Sequence, residues 1–434
     1  MKLEVAAIAA SALAIGLWLR RRRQRGVSSH ATCTVTRGGL QSAATEKCEP
    51  VANIAVLGAG WWSQGWHLPH LSRHPHARIA AIVDPSPLPR SAISDLVSMH
   101  ALGERYETAI FSSIDELLAS PVANTLHGVL VCTTHASHAE LGCKALARGL
   151  HVLVEKPMTT DVSEACQLAK AAEEASARSG ATMMINNTAN WRPQTIEARE
   201  LVAGGAIGAV EHVLCVMHSP LLWLFDDPAN EGWTRPTGTM VGNGFGYGQA
   251  SHILAWALMV CDLTPQEAYC ISTISERSGA DMTDAAVLRC TNGASICFSG
   301  AGSVPGNAHA DTTDENVHAV GKHIAVRVFG SEGLLTYEGD DQQSDSGRLA
   351  VTRRDGRHPV VRSKGFHFEN YEPSGDGPES LHAFIDACNG KDAFVGVGHK
   401  VGLDVVRCLD AIYRSAKSGR PEPTCVEREP SAAG

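Results

Sequence analysis

The stretch NIAVLGAG, residues 53–60, decides the fold. After Asn53 come four apolar residues, the pattern of a short strand buried on both faces. Gly58, Ala59 and Gly60 follow with no spacer. A segment of helical character, residues 61–74, comes next and is interrupted by Pro69. It leads to RIAAIV at 78–83, a second strand closed by Asp84. Strand, glycine turn, helix, strand and acid is the order of a dinucleotide-binding unit. Gly58 allows the tight turn. Gly60 lets a pyrophosphate approach the amides of Ala59, Trp61 and Trp62 at a helix start. Asp84 is placed to accept from an adenosine ribose. The third glycine of the full pattern is replaced by Ser63.

Further along, the same grammar repeats. GVLVC at 128–132 reads as a buried strand ending in Thr133, Thr134, His135, Ala136, Ser137 and His138. A helix at 139–147 follows. LHVLVEKP at 150–157 is another strand, and Glu155, Lys156 and Pro157 stand where it stops. Ligands of open α/β sheets bind beyond the carboxyl ends of the strands, so hydroxyls, imidazoles, a carboxylate and an ammonium gather at one cleft. Ser113 to Glu116 and Asp161 to Glu164 are capping patterns that open helices. Residues 181–185 read as one more strand.

Composition bounds the remaining choices. Of 434 residues, 44% are hydrophobic and 19% charged, which suits a globular chain of about two domains. A net charge of −9 gives no support for a nucleic-acid partner. The 13 cysteines are odd in number and form no Cys-x-x-Cys, so free thiols fit better than a disulfide framework or zinc site. His67, His70, His74 and His76 raise the question of a metal, but Pro69 spoils their shared face and no second ligand cluster accompanies them. No metal is expected.

The N-terminus is distinct. Residues 5–19 are apolar apart from Ser11, and Arg20 to Arg23 follow at once. By the positive-inside tendency this reads as a membrane anchor with a cytosol-facing body. An organelle-targeting peptide and a soluble cytoplasmic protein are the alternatives. Residues 26–50 read as a loose linker. The expected domains are then 51–180, 181–420 and a tail at 421–434.

VLGAGWWSQGWHLP, IVDP, CTTHASHAEL and HVLVEKPMTTDVSEA, in that order, resemble the Gfo/Idh/MocA oxidoreductase family. The likeness continues through NWRPQ, ELVAGGAIGAVEHV, GYGQASHILAWAL and RVFGSEGLL, so it covers nearly everything after the linker. The resemblance implies an α/β protein with an N-terminal Rossmann domain and a C-terminal α/β domain built on a large, mostly antiparallel sheet. In the second half, six alternating segments between residues 210 and 337 agree with strands. The resemblance also implies a nicotinamide cofactor, NAD rather than NADP given Asp84, and a sugar or cyclic polyol as substrate. An NAD-dependent glycosidase and a non-catalytic nucleotide-binding regulator remain as alternatives. The large sheet is the expected surface for a homo-oligomer.

Alcohol oxidation needs a hydride acceptor, a base and a group that stabilises charge on the oxygen. Lys156 matches the family's catalytic lysine. His252 matches the histidine of its Asp-x-x-x-His element, but Gly248 stands where the aspartate would be, so His252 is expected to lack its carboxylate. Thr133, His135, His138 and Glu155 are expected near the cofactor. Thr134 replaces the more usual proline. Trp191 and Arg192 are either a substrate wall or sheet-edge packing. The loop 307–323, with three histidines and several acids, rims the pocket, forms a subunit contact or is merely solvated.

Overall fold

The computed structural model describes residues 50–306, 320–340, 343–370 and 372–425. The apolar segment 5–19 with its basic flank, nearly all of the linker, most of the loop 307–323 and the last nine residues lie outside the described residues. Among the described residues no helix is long and apolar enough to cross a membrane.

Six strands form the first sheet: β1 (Ala52–Leu57), β2 (Ala77–Val83), β3 (Ala109–Phe111), β4 (Gly128–Val131), β5 (His151–Val154) and β6 (Met183–Ile185). All neighbours are parallel and the order is β3-β2-β1-β4-β5-β6. Strands β4 and β6 are buried along their whole length, which explains their unbroken apolar runs. The strand order reverses between β1 and β4, and open α/β sheets bind ligands beyond the carboxyl ends at such a point. The caps read from sequence are present. The Ser113 side chain accepts from the Glu116 amide, and Asp161 accepts from the amides of Ser163 and Glu164 at the start of helix Val162–Ser179.

Nine strands form the second sheet: β7 (Val210–His218), β8 (Pro265–Ile274), β9 (Asp281–Cys290), β10 (Ser295–Ala301), β11 (His323–Gly330), β12 (Gly333–Asp340), β13 (Gln343–Arg353), β14 (Val360–Lys364) and β15 (Glu422–Pro423). Their order is β14-β13-β12-β11-β7-β10-β9-β8-β15, and only β7 with β10 is parallel. Helix Ser251–Cys261 is buried at every residue. A helix with no exposed face has no amphipathic stripe, and ILAWALMVC accordingly shows none. Helix His399–Ser418 packs on β8 and also on helix Val162–Ser179, tying the two sheets together. Helix Glu379–Cys388 returns to pack against β5 and β1.

Three expectations need correction. The boundary at residue 180 cuts off β6, which completes the first sheet. The tail expected from 421 begins as β15, an edge strand on β8. The hairpin of β13 and β14 was not expected, because an edge carrying Val360, Val361 and Arg362 in solvent shows little apolar alternation.

Candidate functional site

The glycine turn is built for close approach on one side only. Gly58 has φ of 93°, and a Cβ there would lie 2.2 Å from the Cys132 carbonyl oxygen. Side chains are excluded at that position on both counts. Gly60 is the opposite case, since a Cβ there would meet nothing within 4 Å. The open space lies at the start of the helical segment, and room beside a helix start suits a pyrophosphate. Asp84 Oδ2 accepts from the Ala59 amide at 2.8 Å and Oδ1 from Ser86 at 2.9 Å. The carboxylate therefore orders the turn itself, with lone pairs remaining for a ribose hydroxyl. Gln64 adds a brace, donating to the carbonyls of Ala59 and Val97.

After the turn the chain enters a π-turn, Ser63–His67, and then an α-helix, Leu68–Arg73. Pro69 is accommodated at the beginning of that α-helix, where its missing amide costs least. The wider turn also separates the histidines. His67 Nε2 meets Glu155 Oε1 at 2.7 Å. His70 contacts the carbonyls of Trp66 and Glu372. Among the described residues, His74 is the one of the four that stands in a three-residue cluster of metal-ligand types, with Asp376 and His382. Its Nδ1 accepts from the His76 amide at 3.2 Å, so the neutral ring carries hydrogen on Nε2 and offers no second lone pair.

Glu155, expected near the cofactor, has protein partners on both of its oxygens. It is buried, and its Oε1 receives Trp62 Nε1 at 3.2 Å, His67 Nε2 at 2.7 Å and Asn186 Nδ2 at 2.7 Å. Its Oε2 receives the Lys156 amide at 3.1 Å. Burial alone would raise its pKa, but the His67 and Asn186 hydrogen bonds and the nearby Lys156 charge bring it down to about 2. Glu155 is the ionic anchor of the turn that carries Lys156. Trp62, also expected at the cofactor, spends its indole N–H on this anchor and stacks on Trp66 at 5.2 Å, with Trp61 edge-on to it.

Lys156 points the other way, toward the second domain's π-turn Gly246–Ala250, and donates to the Gly248 carbonyl at 2.8 Å. Its ammonium lies 4.9 Å from the centre of the Trp233 ring. Desolvation lowers its pKa to about 8, opposed by Glu155 and Glu369 and assisted by Lys322. The same Trp233 meets His135 edge-on at 5.2 Å, so one indole spans the ends of β4 and β5. Burial drives the His135 pKa down to about 3, which keeps it neutral at physiological pH. Thr133 accepts from the Ser137 hydroxyl at 2.7 Å. His138 is fully buried between the carbonyls of Pro157 and Thr133, and both ring nitrogens are engaged there. It braces the loop that follows Lys156.

His252 begins the buried helix just after the π-turn. It was expected to lack a carboxylate, with Tyr247 or Gln249 as other polar contacts, but it has one. His252 Nδ1 lies 2.6 Å from Glu369 Oε1, and Glu369 Oε2 accepts from Lys322 Nζ at 2.7 Å. Glu369 has no exposed surface. Burial would raise its pKa, but His252 and Lys322 hold it well below the usual carboxylate range. Burial lowers the pKa of His252; Glu369 opposes this, and Lys156 and Lys322 reinforce it.

Trp191 is enclosed, donating to the Phe394 carbonyl at 3.0 Å, and serves packing. Arg192 Nη1 pairs with Glu379 at 2.6 Å, and Asn370, next to Glu369, donates to the other oxygen of Glu379 at 3.2 Å. Sequence reasoning missed Trp233, Lys322 and Glu369. For Glu369 there was a signal: a lone acid inside GFHFEN, an aromatic-rich run, must be buried with a partner.

Comparison with known proteins agrees with this geometry. Residues 52–182 match the model of an oxidoreductase family with an NAD-binding Rossmann fold, and residues 195–336 match the GFO/IDH/MocA C-terminal domain. The chain is 26% identical to a D-xylose 1-dehydrogenase (NADP(+)) of Haloferax volcanii over 337 residues, which is 72% of this chain and 91% of that protein. It is 33% identical to an inositol 2-dehydrogenase of an Arthrobacter species over 123 residues, covering 28% of this chain and 33% of the other. The crystal structure of GenD2, from gentamicin A biosynthesis and in complex with NAD, superposes with a TM-score of 0.62 at 22% identity, covering 90% of this chain and 99% of that one.

Proposed function

The chain belongs to the Gfo/Idh/MocA oxidoreductase family, and from that premise we propose that it oxidises a hydroxyl of a sugar or cyclic polyol, or reduces the matching carbonyl, with NAD. The observation that carries this reading is Lys156 at the end of β5, held by the Gly248 carbonyl one helical turn before His252. Two relatives are named for xylose and inositol, which supports a polyhydroxylated substrate.

A bound nicotinamide supplies the hydride acceptor. The protein's own groups do the rest. The Lys156 ammonium holds the reacting oxygen and stabilises its developing charge. A lysine with a pKa near 8 also exchanges a proton close to neutral pH. His252, kept neutral by its burial, takes the hydroxyl proton. Trp233 presents its ring to the ammonium, a cation–π contact that favours the charged form. Incubating the protein with NAD and a panel of aldoses and inositols, and following absorbance of the reduced nicotinamide, tests the proposal.

NAD is preferred over NADP in this reading because Asp84 stands at the ribose end of the turn, where a 2′-phosphate would be repelled. The open face of the second sheet carries exposed Tyr269, Ile271, Val287 and Phe329, a surface suited to a second copy of the chain. The segment 5–19 with Arg20 to Arg23 is proposed to anchor the protein to a membrane.

A further inference from the structure

We infer that Glu369, together with Lys322, is the positioning pair of His252, fixing the imidazole as the tautomer with hydrogen on Nδ1 and the lone pair on Nε2. The inference deepens the proposed function and rests on it for its catalytic meaning, but not for its geometry.

The helix cannot supply this carboxylate itself. A Cβ on Gly248 would lie 2.6 Å from Cζ and 2.9 Å from Cε1 of Phe225, and 3.7 Å from the Trp233 ring. Both aromatic rings fill the space into which a side chain at 248 would project. The carboxylate instead comes from the segment after β14, distant in sequence, and reaches the same imidazole from another side.

The proton's place follows from two contacts. Nδ1 and Oε1 stand 2.6 Å apart without hydrogen-bond alignment, and two lone pairs at that separation would repel, so a proton on one of the two atoms relieves the contact. Lys322 Nζ, 2.7 Å from Oε2, favours the ionised carboxylate. An ionised carboxylate only accepts, so the proton belongs to Nδ1. The charged groups that face His252 are Glu369, Lys156 and Lys322. The two ammonium groups disfavour a third cation, so the resting ring is neutral and Nε2 keeps its lone pair. Lys322 thus acts through Glu369, and Glu369 through His252; both are positioning residues.

The direct test is a nitrogen-15 NMR measurement on the full chain labelled at histidine, with His252→Gln used to assign the signal. Near neutral pH the wild-type ring should carry its proton on Nδ1. In Glu369→Gln the single amide oxygen stays with Lys322 and the amide nitrogen turns to His252, so the proton should move to Nε2. Turnover should fall on the order of 10²–10⁴-fold while NAD affinity is unchanged, as when a base is held in the wrong tautomer. Hydrogen on Nε2 in the wild type would overturn the inference with no variant needed. An unchanged tautomer in folded Glu369→Gln would overturn it as well. The NMR result does not depend on a substrate, so failure of every sugar on the panel would count against the dehydrogenase reading and not against this pair.

Discussion

Lys156 Nζ donates to the carbonyl oxygen of Gly248 at 2.8 Å, joining the carboxyl end of β5 to the turn that presents His252. The hydrogen bond makes the lysine's direction a property of both domains. It also places the backbone of a residue without a side chain at the lysine, so changes at 248 should be felt there.

Gly248→Ala should therefore be costly for a surface-sized change. Its methyl group would press on Phe225, and overpacking of this kind costs about 1–3 kcal/mol. Urea denaturation should show a lower midpoint. Gly248→Ala combined with Phe225→Leu should recover part of the loss. An unaltered midpoint in the single variant would contradict the packing around this turn.

The buried anchor at Glu155 predicts a pH signature. Its folded pKa, about 2, is below the unfolded carboxylate value. The unfolded state therefore binds more protons between roughly pH 4.5 and 2, and the stability that Glu155 contributes is lost as pH falls through that window. Glu155→Gln should be less stable than wild type at neutral pH, and the two should converge as the solution is acidified. Parallel curves across that range would show that the carboxylate is not an ionised anchor.

Lys156 follows the same linkage, but here the charged form is the one that burial disfavours. Its pKa is lowered to about 8, so the folded state binds fewer protons than the unfolded state above that pH. The cost of burying its charge is full below pH 8 and fades as pH rises toward the free lysine value near 10.4. Selective acylation of Lys156, followed by mass spectrometry against pH, should show its reactivity rising near pH 8. A midpoint above 10 would remove the desolvated site.

Much of this architecture was legible in the sequence because it rests on local rules. An apolar run followed by Gly58 and Gly60 needs no tertiary information, and neither does an N-cap such as Asp161. The end of β5 marked Lys156 in the same way. What the sequence did not disclose depends on contacts between distant segments. Glu155 looked like a ligand because a carboxylate at a strand end usually faces the cleft; only folding brings His67, Asn186 and Trp62 onto it. His252 looked orphaned because the expected partner was sought on its own helix, while Glu369 arrives from a segment with no regular periodicity. Trp233 belongs to a four-residue helix, too short to register in any pattern.

The N-terminal segment allows a separate test. Full-length protein should sediment with membranes and resist carbonate extraction if residues 5–19 insert. A chain beginning at residue 50 should remain in the supernatant and still bind NAD, because β1 starts the described core. Extraction of the full-length chain by carbonate would count against an anchor.

Cofactor choice is settled by titrating the protein with NAD and NADP. NAD should bind more tightly, and Asp84→Ser should narrow the difference by relieving repulsion of a 2′-phosphate. Equal affinities in the wild type would sink the role given to Asp84.

The measurement that bears most directly on the central claim is turnover by Lys156→Ala beside wild type, on whichever sugar or inositol the wild type oxidises. The account predicts a fall in turnover of roughly 10²–10⁴-fold with NAD affinity preserved, since the glycine turn and Asp84 are untouched. Lys156→Arg should not restore it, because a guanidinium stays protonated. Near-full turnover in Lys156→Ala would contradict the assignment of this protein as a lysine-dependent dehydrogenase.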